Sequence, residues 1–185
     1  MNKLISISIL ALILLSSCKD FNDFSPHTQF ILKNEQMMFR GIEFDINKAT
    51  VLETEASEPT EEYPDYLLYN YQLNEQDEPQ LELEYFFNND NRLDMIIAYY
   101  TLENEEEKAR VFDELIREFT KRFGPGEKDE LGWYTWKFKD QIGIPGQIEI
   151  ILNPENTDGF RGIDIEFVKY YEFEQDMGLE EERAG

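Results

Sequence analysis

Asn104 to Gly126, NEEEKARVFDELIREFTKRFGPG, is the stretch that decides how this chain folds. Asn104 is a helix-capping residue, and Glu107 sits three places on, the spacing of a capping box. Phe112, Leu115, Ile116, Phe119 and Phe123 recur at the helical period, so one stripe of a long helix is apolar. Glu105 to Glu107 fall at the positive end of the helix dipole, and Arg117, Lys121 and Arg122 at the negative end. Gly124-Pro125-Gly126 then stops the helix.

Beyond that stop, three runs alternate as half-buried strands do: Trp133–Lys139, Gln147–Leu152 and Arg161–Lys169. The residues before the helix repeat the plan. Asn47 is a plausible cap for a short helix over Lys48–Glu55, with Ile46 and Val51 spaced as a hydrophobic staple. Ala56–Pro64 holds two prolines and three glutamates and reads as a loop. Strand patterns follow at Tyr66–Leu73, Leu81–Phe87 and Leu93–Thr101. Asn88 to Arg92 joins the last two with residues that tolerate the left-handed turns of tight hairpins. Short connections make the strands antiparallel. The expectation is a single α+β domain over 37–172 in the order αβββαβββ, its helices packed on one face of a curved antiparallel sheet. Residues 173–185 form an acidic tail.

The N-terminus has a different character. Lys3 precedes an apolar run from Leu4 to Leu15, too short for a membrane span of ~20 residues and organised as a secretory signal peptide. It ends in Leu15-Ser16-Ser17-Cys18, and Cys18 is the only cysteine. This ending resembles the lipobox of bacterial lipoproteins. The resemblance implies a signal peptide over 1–17, a mature chain starting at an acylated Cys18, and a tether over 18–36. It implies a lipid-anchored protein of a Gram-negative cell envelope, at the outer membrane, with palmitate-type acyl chains. Lys19-Asp20 and Asp23 follow, similar to the acidic export signal of some surface lipoproteins. Within the tether, Ser25-Pro26 suits a helix start, while Thr28–Lys33 also suits a strand. The element order is loosely similar to the β-lactamase-inhibitor-like, outer-membrane assembly lipoprotein and secretion-chaperone folds, a likeness that carries no function.

Forty acidic residues against seventeen basic ones give a net charge of -23. Such a chain is repelled by phosphate backbones, which argues against nucleic acid as a partner, and by anionic head groups, which keeps the folded part off the membrane. The charge suits a basic protein or peptide partner. The one histidine, His27, falls in the tether, so no Ser-His-Asp or Cys-His site is available within the domain. There is no glycine-rich phosphate loop and no cofactor motif. Asn88 to Asn91 and Asn153 to Asp158 are oxygen-rich, but they lack EF-hand spacing and read as turns.

Two surface readings remain. The strand aromatics read first as core packing; Trp133-Tyr134-Thr135-Trp136 is apolar on both faces, which makes Trp133 and Trp136 candidates for an aromatic binding surface as the alternative. Strand alternation also places Glu82, Glu84, Glu149, Asp164 and Glu166 on the face turned from the helices, with Lys137 and Lys139 as possible counter-charges. These residues point to a non-enzymatic, membrane-anchored binding module of the immunity, inhibitor or envelope-assembly type. The alternative is a carboxylate-dependent hydrolase acting on envelope glycans.

Overall fold

The computed structural model describes residues 24–33, 39–55, 57–73, 80–140, 146–154 and 162–171. Among them the chain forms helices α1 (Pro26–Ile31), α2 (Lys48–Thr54) and α3 (Glu105–Phe123). The strands are β1 (Glu61–Tyr63), β2 (Tyr66–Tyr71), β3 (Leu81–Phe87), β4 (Leu93–Thr101), β5 (Glu127–Lys128), β6 (Tyr134–Asp140), β7 (Gly146–Asn153) and β8 (Gly162–Tyr171). All eight join one antiparallel sheet in the order β1-β2-β3-β4-β8-β7-β6-β5. Each half is a four-strand meander, and the two last strands meet in the middle.

This corrects the expected αβββαβββ order. Each half has a further strand, and α1 precedes the whole. The added strands are short edges. β1 lies inside the stretch read as a loop, and β5 follows the glycine stop directly. Neither has a pattern of its own; pairing with β2 and β6 creates both.

The helix signals act as read. Asn104 Oδ1 accepts from the Glu107 N–H at 2.9 Å, and Glu107 Oε2 accepts from the Glu103 N–H at 3.1 Å. Gly124 ends α3 with φ +88°, in the left-handed region that glycine adopts without cost. Asn47 caps α2 through the Thr50 N–H at 3.0 Å. Residues 24–33, assigned above to the tether, pack on the domain instead. Ser25 caps α1 with Pro26 at its first turn, so the strand alternative falls. Glu114 of α3 clamps α1: its Oε2 accepts from Ser25 N, Ser25 Oγ and Thr28 Oγ1 at 2.7–2.9 Å.

Inward strand positions form the core: Leu83, Ala98, Ile165 and Leu152 are paired neighbours in one row, and all are buried. Val111, Leu115 and Phe119 of α3 join them, and the Phe119 ring meets Trp136 and Phe167. Two buried ion pairs fasten the segment 39–47, whose Phe39, Ile42 and Phe44 are also buried. Arg40, at φ +48°, reaches Glu55 at 2.8 Å, and Glu55 also accepts from the hydroxyls of Tyr71 (2.7 Å) and Tyr85. Asp45, at φ +67°, binds Lys169 at 2.6 Å and the Tyr171 hydroxyl at 3.1 Å.

Candidate binding face

Partners in an antiparallel pair point to the same side of the sheet, so the register fixes the composition of the outer face. One row across it reads Glu61, Leu68, Glu84, Ile97, Glu166, Ile151, Thr135, Glu127. Acids alternate with aliphatic residues from β1 to β7. The next row reads Asn70, Glu82, Tyr99, Asp164, Asn153, and the one on the other side reads Tyr66, Phe86, Met95, Val168, Glu149, Lys137. Like charges directly opposite one another destabilise a sheet. This register avoids that: β4 inserts Ile97 between Glu84 and Glu166, and Tyr99 between Glu82 and Asp164. Acids in one row therefore stand two strand spacings apart, roughly 9.5 Å.

The five acids expected on this face are all there, four of them around the outer side of β4. Burial, followed by the charges of Asp164, Glu84, Glu166 and Glu82, pushes the Tyr99 phenol up to about 12. Burial and the neighbouring Glu84 and Glu61 also raise the Glu82 carboxyl above its ordinary value. Glu84 accepts a hydrogen bond from the Tyr66 hydroxyl at 2.7 Å. Glu149 differs from the others, since Lys137 neutralises it at 3.2 Å. Of the two lysines expected as counter-charges, Lys137 takes that role toward Glu149, and Lys139 stands opposite Gln147.

The tryptophans part company. Trp136 is a correction: it is 1% exposed, stacked into the core, with its Nε1–H donating to the Gly124 carbonyl at 3.1 Å. Its parity on β6 is that of Tyr134 and Phe138, which points it inward. Trp133 precedes β6 and is partly exposed at the β5–β6 turn, near the sheet's edge.

Two other places were open to function. The Asn88–Asn91 segment is a turn, with Asn88 Oδ1 occupied by the Asp90 and Arg92 N–H groups at 3.0 and 3.1 Å. The loop after Asn153 lies mostly outside the described residues, as do Cys18 and the segments 1–17 and 173–185. Among the described residues no group of three or more His, Cys, Asp or Glu side chains is placed to hold a metal ion. An open groove of about 770 Å³ lies between α2 and the hairpin tips, lined by Lys48, Leu52, Glu62, Asp65 and Asn91 among others. Its one cation is committed, bridging Glu62 at 2.9 Å and the Tyr63 carbonyl.

No family model, curated protein or solved structure matches this chain. Function must be argued from the face itself. Sequence reading missed the apolar half of that face. Leu68, Phe86, Met95, Ile97, Tyr99 and Val168 carry the parity of the acids; on β4 that signal is hidden because the strand is apolar on both sides.

Proposed function

We propose that this protein is a non-enzymatic binding module held at a cell envelope by lipid on Cys18, and that its outer sheet face takes a basic segment of a partner protein or peptide. The observation that carries the reading is the row Glu61, Leu68, Glu84, Ile97, Glu166, Ile151, in which anionic and aliphatic positions alternate across six strands. A solvated surface needs only neutral residues between its acids, to keep like charges from lying opposite one another. A basic amphipathic segment uses both the acids and the aliphatic residues, with charge setting the encounter and apolar contact holding the complex. Among the described residues, Val111, Leu115 and Phe119 of α3 belong to the core on the opposite side, which supports this face as the accessible one. Binding is preferred to glycan hydrolysis because the acids lie across an open sheet, whereas a hydrolase holds its sugar in a cleft between two carboxyls. The lipobox supports anchoring, and the net charge of -23 supports a cationic partner.

The face is tested with a synthetic peptide alternating Lys and Leu, and a matched Glu and Leu peptide as control, followed by fluorescence anisotropy at rising salt. The wild type is expected to bind the basic peptide alone, with affinity falling as salt rises. Glu84→Gln, Glu149→Gln and Glu166→Gln together should weaken it at least tenfold while circular dichroism stays unchanged. Equal binding by wild type and the triple variant would sink the reading. Anchoring is tested separately: Cys18→Ala should abolish incorporation of radioactive fatty acid in cells, and label persisting in the variant would exclude Cys18.

A further inference from the structure

His27 lies on α1 with its ring buried against the Tyr100 ring at 5.3 Å, edge to face. Among the described residues neither ring nitrogen has a hydrogen-bond partner, although both are shut off from solvent. A buried polar group without a partner is costly, and a buried cation more so. The groups facing the ring are Glu107, Arg110 and Glu114 from α3, Glu103 from the β4–α3 connection, and Tyr100 from β4. The nearest acid is Glu107, whose Oε1 is 3.9 Å from Nδ1. That carboxylate already serves the Glu103 N–H at 3.1 Å and Arg110 at 3.4 Å. It is out of hydrogen-bond reach of the ring and engaged elsewhere. The Tyr100 hydroxyl donates to the His27 carbonyl at 2.8 Å, which ties the backbone of α1 to β4 beside the ring.

We propose that His27 is a proton-sensitive latch on α1: when the ring gains a proton in mildly acidic surroundings, α1 loosens from α3 and β4. The ring is held below its ordinary value of 6.5, first by burial and also by Arg110; Glu107, Glu103 and Glu114 pull the other way. The docked ring therefore takes a proton less readily than the undocked ring. Docking is at full strength above about pH 6.5 and weakens as pH falls below it, by at most about tenfold in the docking equilibrium per pH unit, until the docked ring protonates too. The Glu114 clamp acts in a separate window. Burial opposes its charge, but the hydrogen bonds from Ser25 and Thr28, with Arg110, hold it below the ordinary 4.5, so the clamp survives where His27 titrates. This proposal does not depend on lipidation or on the sheet face.

With one histidine in the chain, its imidazole C–H resonance is unique in the NMR spectrum. Full-length protein in detergent is titrated from pH 7.5 to 5.0, and amide exchange is followed at Gln29 and Leu32, whose N–H groups bond to Ser25 and Thr28 carbonyls. The ring should titrate with a midpoint below 6.5. Exchange at both amides, corrected for its intrinsic rate, should rise threefold or more between pH 7 and 5.5 while Ile165 in the central sheet is unchanged. His27→Phe, which keeps an aromatic ring beside Tyr100, should show no rise. A midpoint at or above 6.5, or an equal rise in the variant, overturns the latch. Should the variant not fold, the wild-type midpoint still decides.

Discussion

Phe119 shows how much one residue carries. Its side chain is fully buried, and its ring touches those of Phe123, Trp136 and Phe167. Phe119→Ala should cost about 3–5 kcal/mol, by lost transfer energy plus the cavity, read from urea melts. Arg40 poses the opposite problem. With Arg40→Met, Glu55 stays buried beside Tyr71 and Tyr85 without its cation, and losing one partner of a buried pair costs about 3–5 kcal/mol. In the intact protein burial opposes the Glu55 charge, but Arg40 and the two hydroxyls outweigh it and hold the carboxyl below its usual range. That stability is present above the unfolded carboxyl value, near 4.5, and lost as pH falls through the folded one. Arg40→Met should therefore move the midpoint of acid unfolding to higher pH, measured by tryptophan fluorescence. Neither ion pair was legible in the sequence. Arg40 and Glu55 are fifteen positions apart and Asp45 and Lys169 far more, so only the tertiary fold tells which charges are buried.

Elements with a local signal were legible almost to the residue. Leu81–Phe87 and Leu93–Thr101 form strands with those bounds, and α3 begins after its Asn104 cap, because alternation, capping and the glycine stop act over a few residues. The short edges β1 and β5 carry no such signal. Lys137 and Lys139 alternate with Trp136 and mark it as inward; it is the aromatic residues on both faces of 133–136 that make it a binding candidate in the sequence. The turn after α3 supplies an element-scale test. A Cβ on Gly126 would fall 2.5 Å from Cε2 of the buried Trp136 ring, which has no room to yield. Gly126→Ala should destabilise the protein by roughly 1–3 kcal/mol, as overpacking does, and alter the near-ultraviolet dichroism of tryptophan. Gly124→Ala meets no atom within 4 Å and instead strains a backbone at φ +88°. It should lower stability by roughly 1 kcal/mol in urea melts, as Ala at a positive φ does.

At the scale of the molecule, a net charge of -23 sets a repulsion that no single pair relieves. Exposed like charges are screened over about 10 Å at 0.1 M salt, whereas the buried pairs are screened far less. Thermal stability at pH 7.5 should therefore rise as sodium chloride increases from 0.01 to 0.3 M; a fall would mean that attractive surface pairs dominate. The central seam has a kinetic consequence. Within each meander, neighbouring strands are close in sequence and can zip as hairpins. β4 and β8 are partners roughly sixty to seventy positions apart, so their union must wait for a large loop to close around α3. The rate-limiting event in refolding should be the marriage of two half-formed sheets. Until it happens, each half offers the strand edge that its twin requires, and a second molecule can supply that twin as readily as the same chain. Crowded nascent chains would then exchange halves, and dilution would be the remedy.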